Sequence, residues 1–237
     1  MLLPQGIIAQ AVATAAFPTF AALDARGAYD ELKPVLANTL RAVLFLTIPA
    51  AVGLFVWRVP LIRLLLERGE FTSRSTSLTA HPLAFFTFGL VGHAVVEIVT
   101  RAFYALHDTR TPVAIGVGAM GLNTVLSLAL RPNMGTGGLA LANTLATLLE
   151  MALLAWLLSR RLSGMPWRSV GLTALRAALS AAVMALPLAW AAGHWSSDST
   201  LLIGITGLAA GALVYLAAAA LLKMPEIGLV RAATRRH

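Results

Sequence analysis

Long apolar runs, each closed by a cluster of charge or by a turn, follow one another along the whole chain. Seven of them approach the ~20 residues a helix needs to cross ~30 Å of hydrocarbon. They are Met1–Leu23, Val35–Trp57, Pro82–Thr100, Thr111–Leu130, Leu139–Ser159, Ser169–Ala192 and Thr200–Leu222. Between the second and third, Arg58–Thr76 carries charges every few residues among leucines. That spacing predicts an amphipathic helix lying in the membrane interface and ended by Gly69. The pattern as a whole predicts an all-α polytopic membrane protein with about seven transmembrane helices.

Punctuation supports this division. The stretch Glu97–Pro112 closes one span on charge, turns through Arg101, His107, Asp108 and Arg110, and opens the next span with Pro112 in its first turn, where no helical amide is lost. Asp24–Pro34 reads as a short polar loop and Arg131–Gly138 as a Pro/Gly turn. Pro4, Gly6 and Pro18 make the first span a kinked one, Trp57 fits an interfacial aromatic anchor, and Gly207-x-x-x-Gly211 is a spacing that lets two helix backbones approach.

Composition narrows the class. Of the 237 residues, 58% are hydrophobic and 12% charged, about half the charge of a soluble domain. The formal charge of +8 is spread over the loops, with no basic stripe interleaved with aromatics, so nucleic acid is not an expected partner; orientation and contact with anionic membrane lipids are. Eleven Lys and Arg on one side of the seven spans against five on the other place the C-terminal tail in the cytoplasm. Met1 leads straight into apolar residues, so no secretory signal is expected and the start reads as that of a chain continued from a larger one. There is no cysteine, no H-E-x-x-H and no nucleophile elbow. The only lysines, Lys33 and Lys223, lie at span ends, which removes a retinal Schiff base. No catalysis and no cofactor are expected.

Four ionisable groups interrupt the spans: Arg41, Glu97, Glu150 and Arg176. Facing lipid, each would cost about 2.5–3.5 kcal/mol, so they are expected to face protein or water. At ~1.5 Å per residue all four fall within about 14 Å of the cytoplasmic ends of their spans. One arrangement pairs Arg41 with Glu97 and Glu150 with Arg176 as static ion pairs. The other is a hydrated cavity open to the cytoplasm, where Arg41 attracts an anionic substrate and His93, Glu97 and Arg101, four residues apart, form one wall. Asn123 and Ser127 share a helix face and Asn143 opens the next span; together they are a candidate cation site or an interhelix hydrogen-bonding group.

Three motifs carry a resemblance: LPQGIIAQAVATAAFPTF (Leu3–Phe20), LLERGEFT (Leu65–Thr72) and RAFYALHDTRTPV (Arg101–Val113). In order and spacing they resemble the MurJ (MviN) lipid II flippases of the MOP exporter superfamily. The resemblance implies that the chain corresponds to the end of the eighth through the fourteenth helix, with the N-terminal lobe missing. It implies a C-terminal-lobe bundle over residues 1–160 and, over 161–237, two additional helices that form a lipid-tail groove, then a basic tail. It further implies transport of a polyprenyl-pyrophosphate-linked peptidoglycan precursor, lipid II, across the bacterial cytoplasmic membrane by alternating access, with a monovalent cation at the Asn123, Ser127, Asn143 position. Ser127 stands where that family often has an acid, which weakens the cation expectation. A flippase for another polyprenyl-linked glycan, and a membrane enzyme or scaffold acting on prenyl-linked intermediates, remain as alternatives.

Overall fold

The structure is a computed structural model that describes residues 9–66, 72–193 and 200–228. Its described residues form seven α-helices and no strand: α1 (Ala11–Ala25), α2 (Tyr29–Leu66), α3 (Ser73–Ala105), α4 (Arg110–Met134), α5 (Thr136–Arg161), α6 (Trp167–Gly193) and α7 (Thr200–Leu221). Five of them, α2 to α6, are long and apolar enough to cross a membrane, while the described apolar parts of α1 and α7 are shorter. Pro4, Gly6, Gly69, Arg68 and the basic tail beyond Gly228 lie outside the described residues.

Helix boundaries follow local chemistry. Gly27, at φ +66°, turns the chain after α1, and the Ala28 amide donates to the Leu23 carbonyl at 2.9 Å. α2 then starts at once, because Asp30 and Glu31 suit the positive end of a helix; the expected loop to Pro34 shrinks to three residues. Gly135, at φ +55°, is the only break between α4 and α5, and Pro132 sits inside α4.

Two expectations are corrected. The interfacial segment is not a separate helix: Arg58–Leu66 continues α2, whose 38 residues extend about 57 Å, well beyond the hydrocarbon core. Pro60 withholds one amide without stopping the helix, and Arg58 donates to the nearby Phe55 carbonyl while lying 4.6 Å from the centre of the Phe55 ring. α3 likewise begins nine residues before Pro82. Trp57 is no interface anchor; it is buried, and its indole N–H donates to the Leu188 carbonyl at 3.0 Å.

The helices pack in the spatial order α4, α5, α3, α2, α6, α7, with α1 against α2 and α3. A continuous apolar core of Leu36, Leu40, Val43, Ile98, Phe103, Leu154 and Leu158 joins the central members. Among the described residues α6 packs mainly on α2, and α7 mainly on α6, outside the bundle of α1 to α5. Small residues set the closest approaches: a Cβ on Gly207 would lie 2.8 Å from the Trp57 ring, and one on Gly211 2.9 Å from Leu188. The Gly-x-x-x-Gly spacing thus seats α7 on α2 and α6.

Gly138 is tighter in kind, since an added Cβ would meet the Leu130 carbonyl oxygen of α4 at 2.7 Å. Backbone cannot step aside as a side-chain tip can. Gly138→Val is expected to destabilise the protein by about 1–3 kcal/mol by forcing α4 off α5. Thermal unfolding in detergent checks this, and an unchanged midpoint would show that the hairpin tolerates separation.

Candidate functional site

The polar residues of the spans sort into three places. The first is a cavity of about 190 Å³ between α3, α4 and α5, lined by His93, Gly116, Asn123, Asn143, Thr147 and Glu150 among others. Asn143, Thr147 and Glu150 lie on successive turns of α5 and so present one polar stripe. His93 Nε2 of α3 lies 3.4 Å from Asn143 Oδ1 and 3.2 Å from Thr147 Oγ1. On α4, Ser127 donates its hydroxyl to Asn123 Oδ1 at 3.3 Å. Glu150 Oε1 rests over Gly116, 3.5 Å from where a side chain would begin, so the glycine makes room for the carboxylate. Among the described residues nothing forms a hydrogen bond or ion pair with Glu150. The anticipated Glu150–Arg176 pair is absent because Arg176 is on α6, on the other side of α2 and α3.

The second place is the lower part of α3. Arg101 Nη2 bonds Glu97 Oε1 at 2.7 Å and Thr14 Oγ1 of α1 at 3.4 Å. A spacing of four drifts ~40° per step, and over two steps this turns Arg101 and Glu97 toward α1 while His93 faces α5. The expected wall is therefore split between two neighbours, with only His93 in the cavity.

Arg41 defines the third. Its Nε donates to Glu226 Oε1 at 2.7 Å and to Thr173 Oγ1 at 3.1 Å, Nη1 reaches Asn38 Oδ1 at 3.3 Å, and the Thr173 hydroxyl donates to the same Glu226 oxygen at 2.9 Å. The expected Arg41–Glu97 pair does not form, because Arg41 lies on the face of α2 that packs against α6. Glu226 was not legible as a partner: it follows the last apolar run, where a carboxylate reads as solvated. Lys223, at φ +51°, folds the chain back after α7 and buries Met224 and Glu226. A turn followed by the apolar Ile227 was the available signal.

Outside the spans, Asp108 joins the loops at the same end. It accepts the Thr111 amide at 3.0 Å and hydroxyl at 2.8 Å and pairs with Arg161, whose Nη2 also donates to the Leu106 carbonyl. The Thr111 amide above all, then its hydroxyl and Arg161, hold the Asp108 carboxyl below the ordinary aspartate value despite the desolvation that opposes them. His107, at φ +58°, lies 3.3 Å from Asp24 of α1.

Beside the polar bundle, α2, α6 and α7 enclose an apolar groove of about 350 Å³ lined by Phe45, Pro49, Trp57, Leu188, Gly211 and Tyr215 among others. Tyr215 donates its hydroxyl to the Phe45 carbonyl at 2.7 Å, and the two rings close one end, 5.3 Å apart.

This arrangement has relatives. The family model described as lipid II flippase MurJ matches residues 1–207. The chain belongs to the lipid II flippase MurJ family. A probable lipid II flippase MurJ of Rhizobium meliloti is 32% identical over 248 aligned positions, covering 99% of this chain and 45% of that protein. Its counterpart in Rhizobium tropici is also 32% identical, with the same coverage. A solved lipid II flippase MurJ in an inward closed conformation superposes with a TM-score of 0.78 at 26% identity, over 93% of this chain and 44% of that one. The chain thus spans about half the length of the MurJ relatives it matches. Its all-helical, multi-pass membrane architecture is that of the family.

Proposed function

We propose that this chain forms the C-terminal part of a transporter that moves lipid II from the inner to the outer leaflet of the bacterial cytoplasmic membrane by alternating access, without chemical change to the lipid. One observation carries the reading: a chain of this family sets an apolar groove next to a helical bundle that holds a polar cavity, the two surfaces an amphiphile with a large polar head requires. In this reading α1 to α5 are the C-terminal lobe, which works against an N-terminal lobe, and α6 and α7 supply the groove for the lipid tail. His93 and Glu150 face the polar pathway, Glu97 and Arg101 flank it next to α1, and Asn123, Ser127 and Asn143 supply neutral oxygens for a monovalent cation. Arg41 and Arg176 act at the groove side instead.

Substrate binding tests the proposal. Native mass spectrometry of the purified protein is expected to retain lipid II in preference to a polyprenyl-linked glycan of another pathway; the opposite preference would make the protein a different exporter. Orientation is tested separately. A cysteine at the exposed Ser163 is expected to be shielded from external impermeant reagents and one at the exposed Asn133 to be labelled. The reverse pattern would place the C-terminus outside.

A further inference from the structure

The Arg41 cluster lies one helical turn beyond the end of the apolar groove, since Phe45, which closes the groove, is four residues along α2. Depth is informative here. α6 is 27 residues long, about 40 Å, which matches a bilayer including its headgroup layers; Thr173 lies about 9 Å in from its Trp167 end, close to the boundary between headgroups and hydrocarbon. A lipid whose chain filled the groove would put its head at this level. What stands there is a guanidinium and a hydroxyl, both directed at one carboxylate oxygen. The second oxygen of that carboxylate, Glu226 Oε2, is buried and has no hydrogen-bond partner. Glu226 is 6% exposed, so half of its acceptor capacity is desolvated without return. Arg176 adds a second cation one turn after Thr173, and no described residue pairs with it.

We infer that Arg41 and Thr173 form a receptor for the phosphate of a lipid seated in the α2–α6–α7 groove, and that Glu226 is an internal stand-in which holds the segment after α7 closed until such a lipid displaces it. A phosphate oxygen would accept the bonds from Arg41 Nε and the Thr173 hydroxyl that Glu226 Oε1 accepts now. The displaced carboxylate is charged and unfavourably buried, so it leaves for water and carries residues 224–228 with it. The inference rests on the flippase reading only in taking the groove to receive a lipid chain.

The test uses the full chain in dodecyl maltoside micelles, which carry no phosphate, with three probes: farnesyl phosphate, farnesol and inorganic phosphate. Farnesyl phosphate is expected to speed amide hydrogen exchange across residues 224–228 at least tenfold, whereas the tail alone and the anion alone leave it unchanged. Glu226→Gln is expected to tighten farnesyl phosphate binding about tenfold, Arg41→Gln to abolish the response, and Arg41→Lys to restore part of it. The inference is overturned if all three probes leave exchange unchanged, if inorganic phosphate acts as well as farnesyl phosphate, or if Glu226→Gln leaves the affinity as it was. The exchange measurement on the unaltered chain decides the matter even where a variant fails to fold. No readout involves lipid II or its transport, so failure here leaves the flippase proposal standing, and loss of that proposal leaves these results interpretable.

Discussion

Arg41→Met is expected to lower the stability of the detergent-solubilised protein by about 3–5 kcal/mol, and Arg41→Met with Glu226→Leu to recover most of it. The single change leaves the buried Glu226 carboxylate with only the Thr173 hydroxyl, among the described residues, to offset its charge. The double change removes both charges from a site that apolar side chains can fill. Because Arg41 itself keeps about a fifth of its side chain exposed, water screens part of the attraction, which favours the lower end of that range. Chemical unfolding of both variants measures the difference, and a double variant as unstable as the single one would show that the pair is a net stabiliser and not a compensated charge.

The opposite signature is expected at Glu150. Glu150→Gln keeps the shape of the side chain in the cavity, and no described residue loses an ion-pair or hydrogen-bond partner by it. A carboxylate half-buried between helices, with no counter-charge among the described residues, opposes folding in its ionised form, so the neutral amide should leave stability unchanged or raise it by up to about 1 kcal/mol. Transport by the assembled protein is nevertheless expected to fall at least tenfold, because the cavity would lose the only acid among its described lining residues, beside His93, Asn123 and Asn143. Unfolding and transport measured on one preparation separate the two effects. Normal transport would reduce Glu150 to a tolerated irregularity of α5.

These two residues also mark how far the sequence could be read. The number and order of helices followed from the lengths of the apolar runs, and Gly207 and Gly211 pack as their spacing suggested. Four of the named polar residues, His93, Asn123, Asn143 and Glu150, line one cavity. What hydropathy cannot carry is azimuth. Arg41 and Glu97 sit at similar depth, yet they point to different neighbours, and a spacing of four drifts enough to divide His93 from Arg101. Trp57 had the composition of an interface anchor but faces Gly207, whose missing side chain admits its ring. Length was misread for a related reason: charge at Arg58 and Arg63 marks where α2 leaves the hydrocarbon, not where it stops.

Transport in this reading requires an acidic side chain sheltered in a polar pathway on one side of α3 while a lipid chain is accommodated on the far side of α2. Leaflet exchange tests it most directly: the complete transporter containing this chain is reconstituted in vesicles loaded with inner-leaflet lipid II, and arrival of the headgroup outside is followed with an added enzyme that cleaves it. The prediction is time-dependent exposure of intact lipid II, slowed at least tenfold by Glu150→Gln. Exposure no faster than in empty vesicles, or release of chemically altered lipid before the enzyme is added, would contradict it.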